Sequence, residues 1–113
     1  VHRLGIDAMD APKKGLDLLQ SRRREIESLC SEFGVRELAV FGSALREEFD
    51  AESDLDLLVV FDPRIPVGLF HLIRLQQRLE DLLEREVDLV PKDGLKPRIR
   101  DEVLSAARII YAA

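Results

Sequence analysis

Hydrophobic residues recur along the chain in two different periods, and the switches between them mark out helices and strands. Over residues 14–33, Ile26, Leu29, Cys30 and Phe33 fall at i, i+3, i+4 and i+7, one face of a helix. Gly34 follows, where a helix commonly ends in the left-handed conformation. The run Glu-Leu-Ala-Val-Phe at 37–41 predicts a short strand, punctuated by Gly42-Ser43. A short helix is expected over 43–48 and a polar loop over 49–53. Residues 54–61, DLDLLVVF, carry the strongest strand signal, apolar enough for burial on both faces. Asp62-Pro63 ends it, because proline cannot continue the ladder.

Downstream, Leu69, Leu72, Ile73, Leu75, Leu79, Leu82 and Leu83 predict an amphipathic helix over 67–84. EVDLVP at 86–91 reads as a third strand. Pro97 suits the first turn of a last helix, with Ile99, Val103, Ala106, Ala107 and Ile110 on its apolar side. The expected order is α-β-α-β-α-β-α. That is a small α/β (α+β) domain in which a mixed sheet of about three strands is flanked by helices.

Asp54 and Asp56 are two residues apart, so on a strand they leave the same face. Gly42-Ser43 meets them if the first two strands run antiparallel, which the short link permits. A helical crossover favours a parallel third strand, which brings Asp88 to the same sheet end. Each feature alone is ordinary, since aspartate is common in turns and Gly-Ser can be a turn and helix cap. Together they are not. Three clustered carboxylates raise one another's pKa unless a cation intervenes. Mg²⁺ is the fitting ion, because it takes one or two carboxylates and keeps water and substrate phosphates. A pair of such ions clamps both oxygens of an in-line phosphoryl substitution. Glycine lets the backbone approach a ligand closely, and the N–H groups at the turn with the Ser43 hydroxyl can hold phosphate oxygens. Acids beside a phosphate-holding turn imply chemistry on a nucleoside triphosphate.

Composition narrows the setting. A length of 113 residues fits one domain. Residues 1–13 are expected to be a flexible N-terminal segment ahead of a single domain over 14–113. No apolar run approaches twenty residues, which argues against a membrane span, and the start lacks the apolar core of a signal peptide. One cysteine excludes an internal disulfide and fits a cytoplasmic protein. A net charge of −5 argues against a broad nucleic-acid surface, though not against a bound nucleotide. Cys30, on the apolar stripe, reads as core and not as a nucleophile. His71 has no evident partner and reads as structural or exposed, and SRRREIE at 21–27 reads as a solvated helix face, with docking of an acidic partner as the alternative.

The stretch GSALREEFDAESDLDLLVVF, with VDLV after it, resembles the polymerase-β-type nucleotidyltransferase superfamily: a Gly-Ser, then Asp-x-Asp in a hydrophobic strand, then a third acid on its own strand. The length is similar to that of its minimal members, the MNT antitoxins paired with HEPN-domain toxins. This resemblance covers roughly residues 16–111 and implies the nucleotidyltransferase fold, with transfer of AMP from ATP and release of pyrophosphate. It implies that Asp54 and Asp56 ligate Mg²⁺, that Asp88 is a third carboxylate shared with one ion and assists deprotonation of an acceptor hydroxyl, and that Gly42 and Ser43 hold the β- and γ-phosphates. Arg46 matches the second arginine of the common Gly-Ser-Arg-x-Arg-Gly form and would neutralise phosphate charge. Ala44 stands where that form has its first arginine, and Glu47 where it has glycine. In MNT antitoxins the resemblance implies adenylylation of a tyrosine on a HEPN ribonuclease, hence a hetero-oligomer. The HEPN motif Arg-x4-His is absent here, so this chain would be the antitoxin half. Two other classes stay open: an antitoxin that acts by binding alone, and a small-molecule nucleotidyltransferase completed by a partner chain.

Overall fold

A computed structural model describes residues 14–45, 49–50 and 52–113, with only the backbone at Lys14 and Ser43. The segment 1–13 expected to be flexible lies outside these residues. Among the described residues ten elements follow one another. They are helices α1 (Lys14–Ser21) and α2 (Arg23–Phe33), strand β1 (Val35–Phe41), a 3-10 turn (Gly42–Leu45), strand β2 (Leu55–Phe61), helix α3 (Leu69–Leu83), strand β3 (Val87–Pro91), a second 3-10 turn (Lys92–Gly94), helix α4 (Pro97–Ala106) and strand β4 (Arg108–Ala112).

The strands form one mixed sheet in the order β3-β2-β1-β4. β1 pairs antiparallel with β2 and with β4, while β2 and β3 are parallel. The crossover through α3 supplies the parallel connection, as a helical crossover must. Side chains then alternate between two faces. Leu38 and Val40 of β1, Leu55, Leu57 and Val59 of β2, and Val87 and Leu89 of β3 enter the larger core cluster with Ile26, Leu29, Cys30 and Phe33 of α2 and Leu75, Leu79 and Leu83 of α3. The opposite face buries Ala39, Leu58 and Leu95, with Val103 and Leu104 of α4 packed on them. Leu57, Leu58 and Val59 are therefore covered on both sides, which is why this strand reads as an unbroken apolar run.

Four expectations are adjusted. The helix over 14–33 is two helices, broken at Arg22 (φ −115°, ψ 23°), whose amide bonds to the Leu19 carbonyl at 3.2 Å. The short helix at 43–48 is a 3-10 turn over Gly42–Leu45, and Arg46, Glu47 and Glu48 lie outside the described residues. The sheet has four strands and not three. The last helix ends at Ala106, and Ile110, assigned by its phase to that helix, belongs to β4. Arg-Ile-Ile-Tyr-Ala is rich in β-branched and aromatic residues, and β1 otherwise presents an open edge of unpaired backbone groups. Gly34 caps α2 as expected (φ 72°), and Pro97 occupies the first turn of α4. No helix among the described residues is long and apolar enough to cross a membrane.

Candidate active site

The site is assembled by strand register. Asp56 lies opposite Phe41 on β1 and opposite Asp88 on β3. Neighbours in register share a face, so the Asp56 and Asp88 side chains project together from strands about 4.8 Å apart. They emerge on the face that carries Ala39, Leu58 and Val90, beyond the end of its small apolar cluster. Asp54 stands one residue before β2, exposed, and Leu55 starts the ladder by donating its N–H to the Glu86 carbonyl at 3.0 Å. Asp88 is exposed and Asp56 half-buried.

Gly42 closes the third side. It follows Phe41 directly, with φ +71°, a conformation that costs other residues dearly. A Cβ placed on it would run into the Asp56 carboxylate, with Asp56 Cγ at 3.3 Å and Cβ at 3.5 Å. The turn backbone therefore lies against Asp56 with no room for a side chain between them. Of the predicted site residues, the structure brings Gly42, Asp56 and Asp88 to one sheet end, with Asp54 beside them and the Ser43 backbone in the turn. Arg46 lies outside the described residues.

Ala44 has a different meaning from the one its family position suggests. It is fully buried, and α1 packs down on it so closely that a Cβ on Gly15 would lie 2.5 Å from both the Ala44 Cβ and its carbonyl oxygen. The missing side chain at Gly15 is what lets α1 approach the turn, against the buried Ala44.

The donors available are carboxylate oxygens, the ligand type of a hard dication. Among the described residues, no group of three Asp, Glu, His or Cys is arranged to hold an ion unaided. An ion that takes one or two carboxylates and completes its shell with water and phosphate oxygens fits this donor set; one needing an all-protein cage does not.

The profile of the nucleotidyltransferase domain matches residues 22–110. The chain belongs to the nucleotidyltransferase domain family. A protein adenylyltransferase, MntA, from Thermococcus cleftensis is 44% identical over 87 residues, covering 77% of this chain and 83% of that protein. A solved chain assigned as a minimal nucleotidyltransferase superposes with a TM-score of 0.70 at 43% identity, covering 82% of this chain and 93% of that one. A toxin–antitoxin complex with AMP-PNP contains a chain of the same fold, with a TM-score of 0.66 at 19% identity and coverage of 80% and 73%. So does the complex of a tri-AMPylated Shewanella oneidensis HEPN toxin with its MNT antitoxin, with a TM-score of 0.60 at 19% identity and coverage of 83% and 72%.

Other residues of this nucleotidyltransferase that attracted notice have structural roles. Cys30 is buried in the core, and burial, with the Glu27 charge adding to it, pushes its thiol up to about 12. His71, read as structural or exposed, is structural: its Nε2 lies 2.7 Å from the Phe33 carbonyl oxygen, and its ring packs between Phe33 and Phe61. Arg23 of the basic run bonds to Glu27 along an exposed helix face. Phe49 and Arg85 do not stand out in the sequence. A single phenylalanine inside an otherwise polar loop was the only signal, and Phe49 is buried to 2% exposure.

Proposed function

We propose that this nucleotidyltransferase transfers AMP from Mg²⁺-bound ATP to a tyrosine hydroxyl on a cognate HEPN ribonuclease toxin, and so acts as the antitoxin. The observation that carries the reading is the in-register pair Asp56–Asp88 set against Gly42 at one sheet end. A protein acceptor is supported by the adenylyltransferase relative from Thermococcus, and a HEPN toxin partner by the toxin–antitoxin complexes that contain a chain of this fold.

Asp54 and Asp56 would hold Mg²⁺, which when bound neutralises phosphate charge and polarises the α-phosphate. The N–H groups at Gly42 and Ser43 would receive the β- and γ-phosphate oxygens, orienting pyrophosphate as leaving group, with Arg46 adding positive charge. Asp88, across the strand from Asp56, would accept the proton of the attacking hydroxyl. The oxygen–phosphorus bond to the acceptor forms as the bond to pyrophosphate breaks. Paired strands hold the backbone of Asp56 and Asp88 in fixed register, which suits a reaction whose catalysis is mostly placement and charge.

The test is label transfer from α-labelled and, separately, γ-labelled ATP to the HEPN partner in the presence of Mg²⁺. Label on the partner from the α position only, lost in Asp54→Asn, Asp56→Asn and Asp88→Asn, is the expected result. Label from γ alone would mean a kinase. No label in a stable complex would mean an antitoxin that acts by binding.

A further inference from the structure

Arg85 lies in the short link between α3 and β3, far from Asp54 in sequence, yet it grips the segment that delivers that residue. Its Nη1 donates to the carbonyl oxygens of Asp50 and Ser53, each at 3.0 Å. Its guanidinium carbon lies 4.5 Å from the centroid of the buried Phe49 ring. The Ser53 carbonyl belongs to the peptide unit whose nitrogen is that of Asp54, so this bond fixes the plane from which Asp54 projects. Asp50 tightens the same turn, its Oδ1 accepting from the Glu52 N–H at 2.9 Å and from the Ser53 hydroxyl at 3.1 Å. The guanidinium thus spends its charge on two carbonyls and a ring, and its Nε is buried without a hydrogen-bond partner. An unsatisfied buried donor is costly and marks a group held in place by other demands.

We infer that Arg85 is a positioning residue: it sets where Asp54 stands relative to Asp56 and Asp88, and through that the affinity of the site for a divalent cation. The inference rests on the assignment of those acids as the metal-facing set. Arginine suits the task because its planar group stacks on Phe49 while one edge reaches both carbonyls; lysine offers a point charge with no plane to stack. Groups that orient metal ligands from behind change affinity or activity by about 10–100-fold when replaced.

The experiment compares wild type, Arg85→Lys, Phe49→Leu and Asp56→Asn in the full chain. Each is melted thermally and titrated with Mn²⁺, read by electron paramagnetic resonance, in the presence of a non-hydrolysable ATP analogue. Label transfer is then followed against Mg²⁺ concentration. The expected result is an Arg85→Lys protein that melts close to wild type but binds Mn²⁺ about tenfold or more weakly. Its Mg²⁺ requirement rises in step, while kcat at saturating Mg²⁺ is largely recovered. A merely structural role would lower the melting temperature and leave Mn²⁺ affinity alone, and that outcome overturns the inference. Should Arg85→Lys fail to fold, Phe49→Leu decides: it removes the ring beneath the guanidinium, keeps the burial apolar, and must weaken Mn²⁺ in the same direction. Loss of Mn²⁺ in Asp56→Asn with unchanged binding in Arg85→Lys refutes the role of Arg85 alone. A wild type that binds no Mn²⁺, indistinguishable from Asp56→Asn, refutes the site assignment and this inference with it.

Discussion

Gly42 and Gly34 form a matched pair that separates stability from chemistry. Both adopt left-handed backbone, with φ +71° and +72°. At either position alanine costs about 1–2 kcal/mol in backbone strain, of which roughly 0.4–1 kcal/mol is returned by the stiffer unfolded chain. Both substitutions should therefore lower the melting temperature by a few degrees, at about 4–8 °C per kcal/mol for a domain of this size. What the new methyl meets differs. At 34 it meets the terminal methyl of Ile65, a partly exposed side chain that can swing aside. At 42 it meets the Asp56 carboxylate. Relieving that contact displaces the carboxylate by something approaching 1 Å, and misplacement of this size costs about 10²-fold in rate. Gly42→Ala should thus lose about two orders of magnitude in label transfer, and Gly34→Ala almost none, at similar losses in melting temperature. Full activity in Gly42→Ala, or equal losses in the two variants, would mean that the turn does not set the position of the Asp56 carboxylate.

Three further outcomes are expected. Glu84, which caps α3 at φ 55°, is the sole non-glycine residue with positive φ among those described; Glu84→Gly should stabilise the fold by about 0.5–1 kcal/mol, seen as a higher denaturant midpoint. Ala44→Arg restores the family's common residue but has no room beneath α1; it should destabilise by about 1–3 kcal/mol without tightening binding of a fluorescent ATP analogue, and tighter binding at unchanged melting would contradict this. Cys30, whose burial pushes its thiol up from the ordinary 9.0 to about 12, favours the folded state fully below pH 9 and loses that contribution as pH rises towards 12. The slope is about 1.4 kcal/mol per pH unit at most, so denaturation at pH 8 and 10.5 should show a steeper loss in wild type than in Cys30→Ala.

What the sequence disclosed followed from local period and connection rules. β2 and β3 were legible because their apolar runs are short and bounded by proline, and the meeting of Asp56 with Asp88 followed from the parallel crossover. The fourth strand was not, since Ile110 continues the helical phase of Ile99 and Val103, and only the open edge of β1, a non-local fact, draws residues 108–112 into the sheet. The break at Arg22 was hidden in the same way, with an apolar stripe passing through the segment. Ala44 carries a second meaning that the pattern does not display: set against the family form it is a missing cation, and its packing on Gly15 makes it a contact residue as well. Arg85 and Phe49 are separated by thirty-six positions, and no window of sequence joins them.

The site and the core depend on the same register. Leu55, Leu57 and Val59 enter the larger cluster at almost complete burial, while Asp56 faces the other way between Phe41 and Asp88. A slip of one residue in β2 would turn Asp56 into that cluster and expose its leucines. Burying an unpaired carboxylate costs several kcal/mol, on the order of the whole stability of a small domain. The leucines that hold the strand therefore also dictate which face the acids occupy, without any contact to substrate. Asp54 lies just outside this protection, one residue before the ladder begins, and there the chain is held by Arg85 and the turn at Asp50 instead of by the sheet. Changes that loosen the core should unfold the protein before they disturb Asp56. Changes at the Arg85–Phe49 contact should disturb Asp54 first.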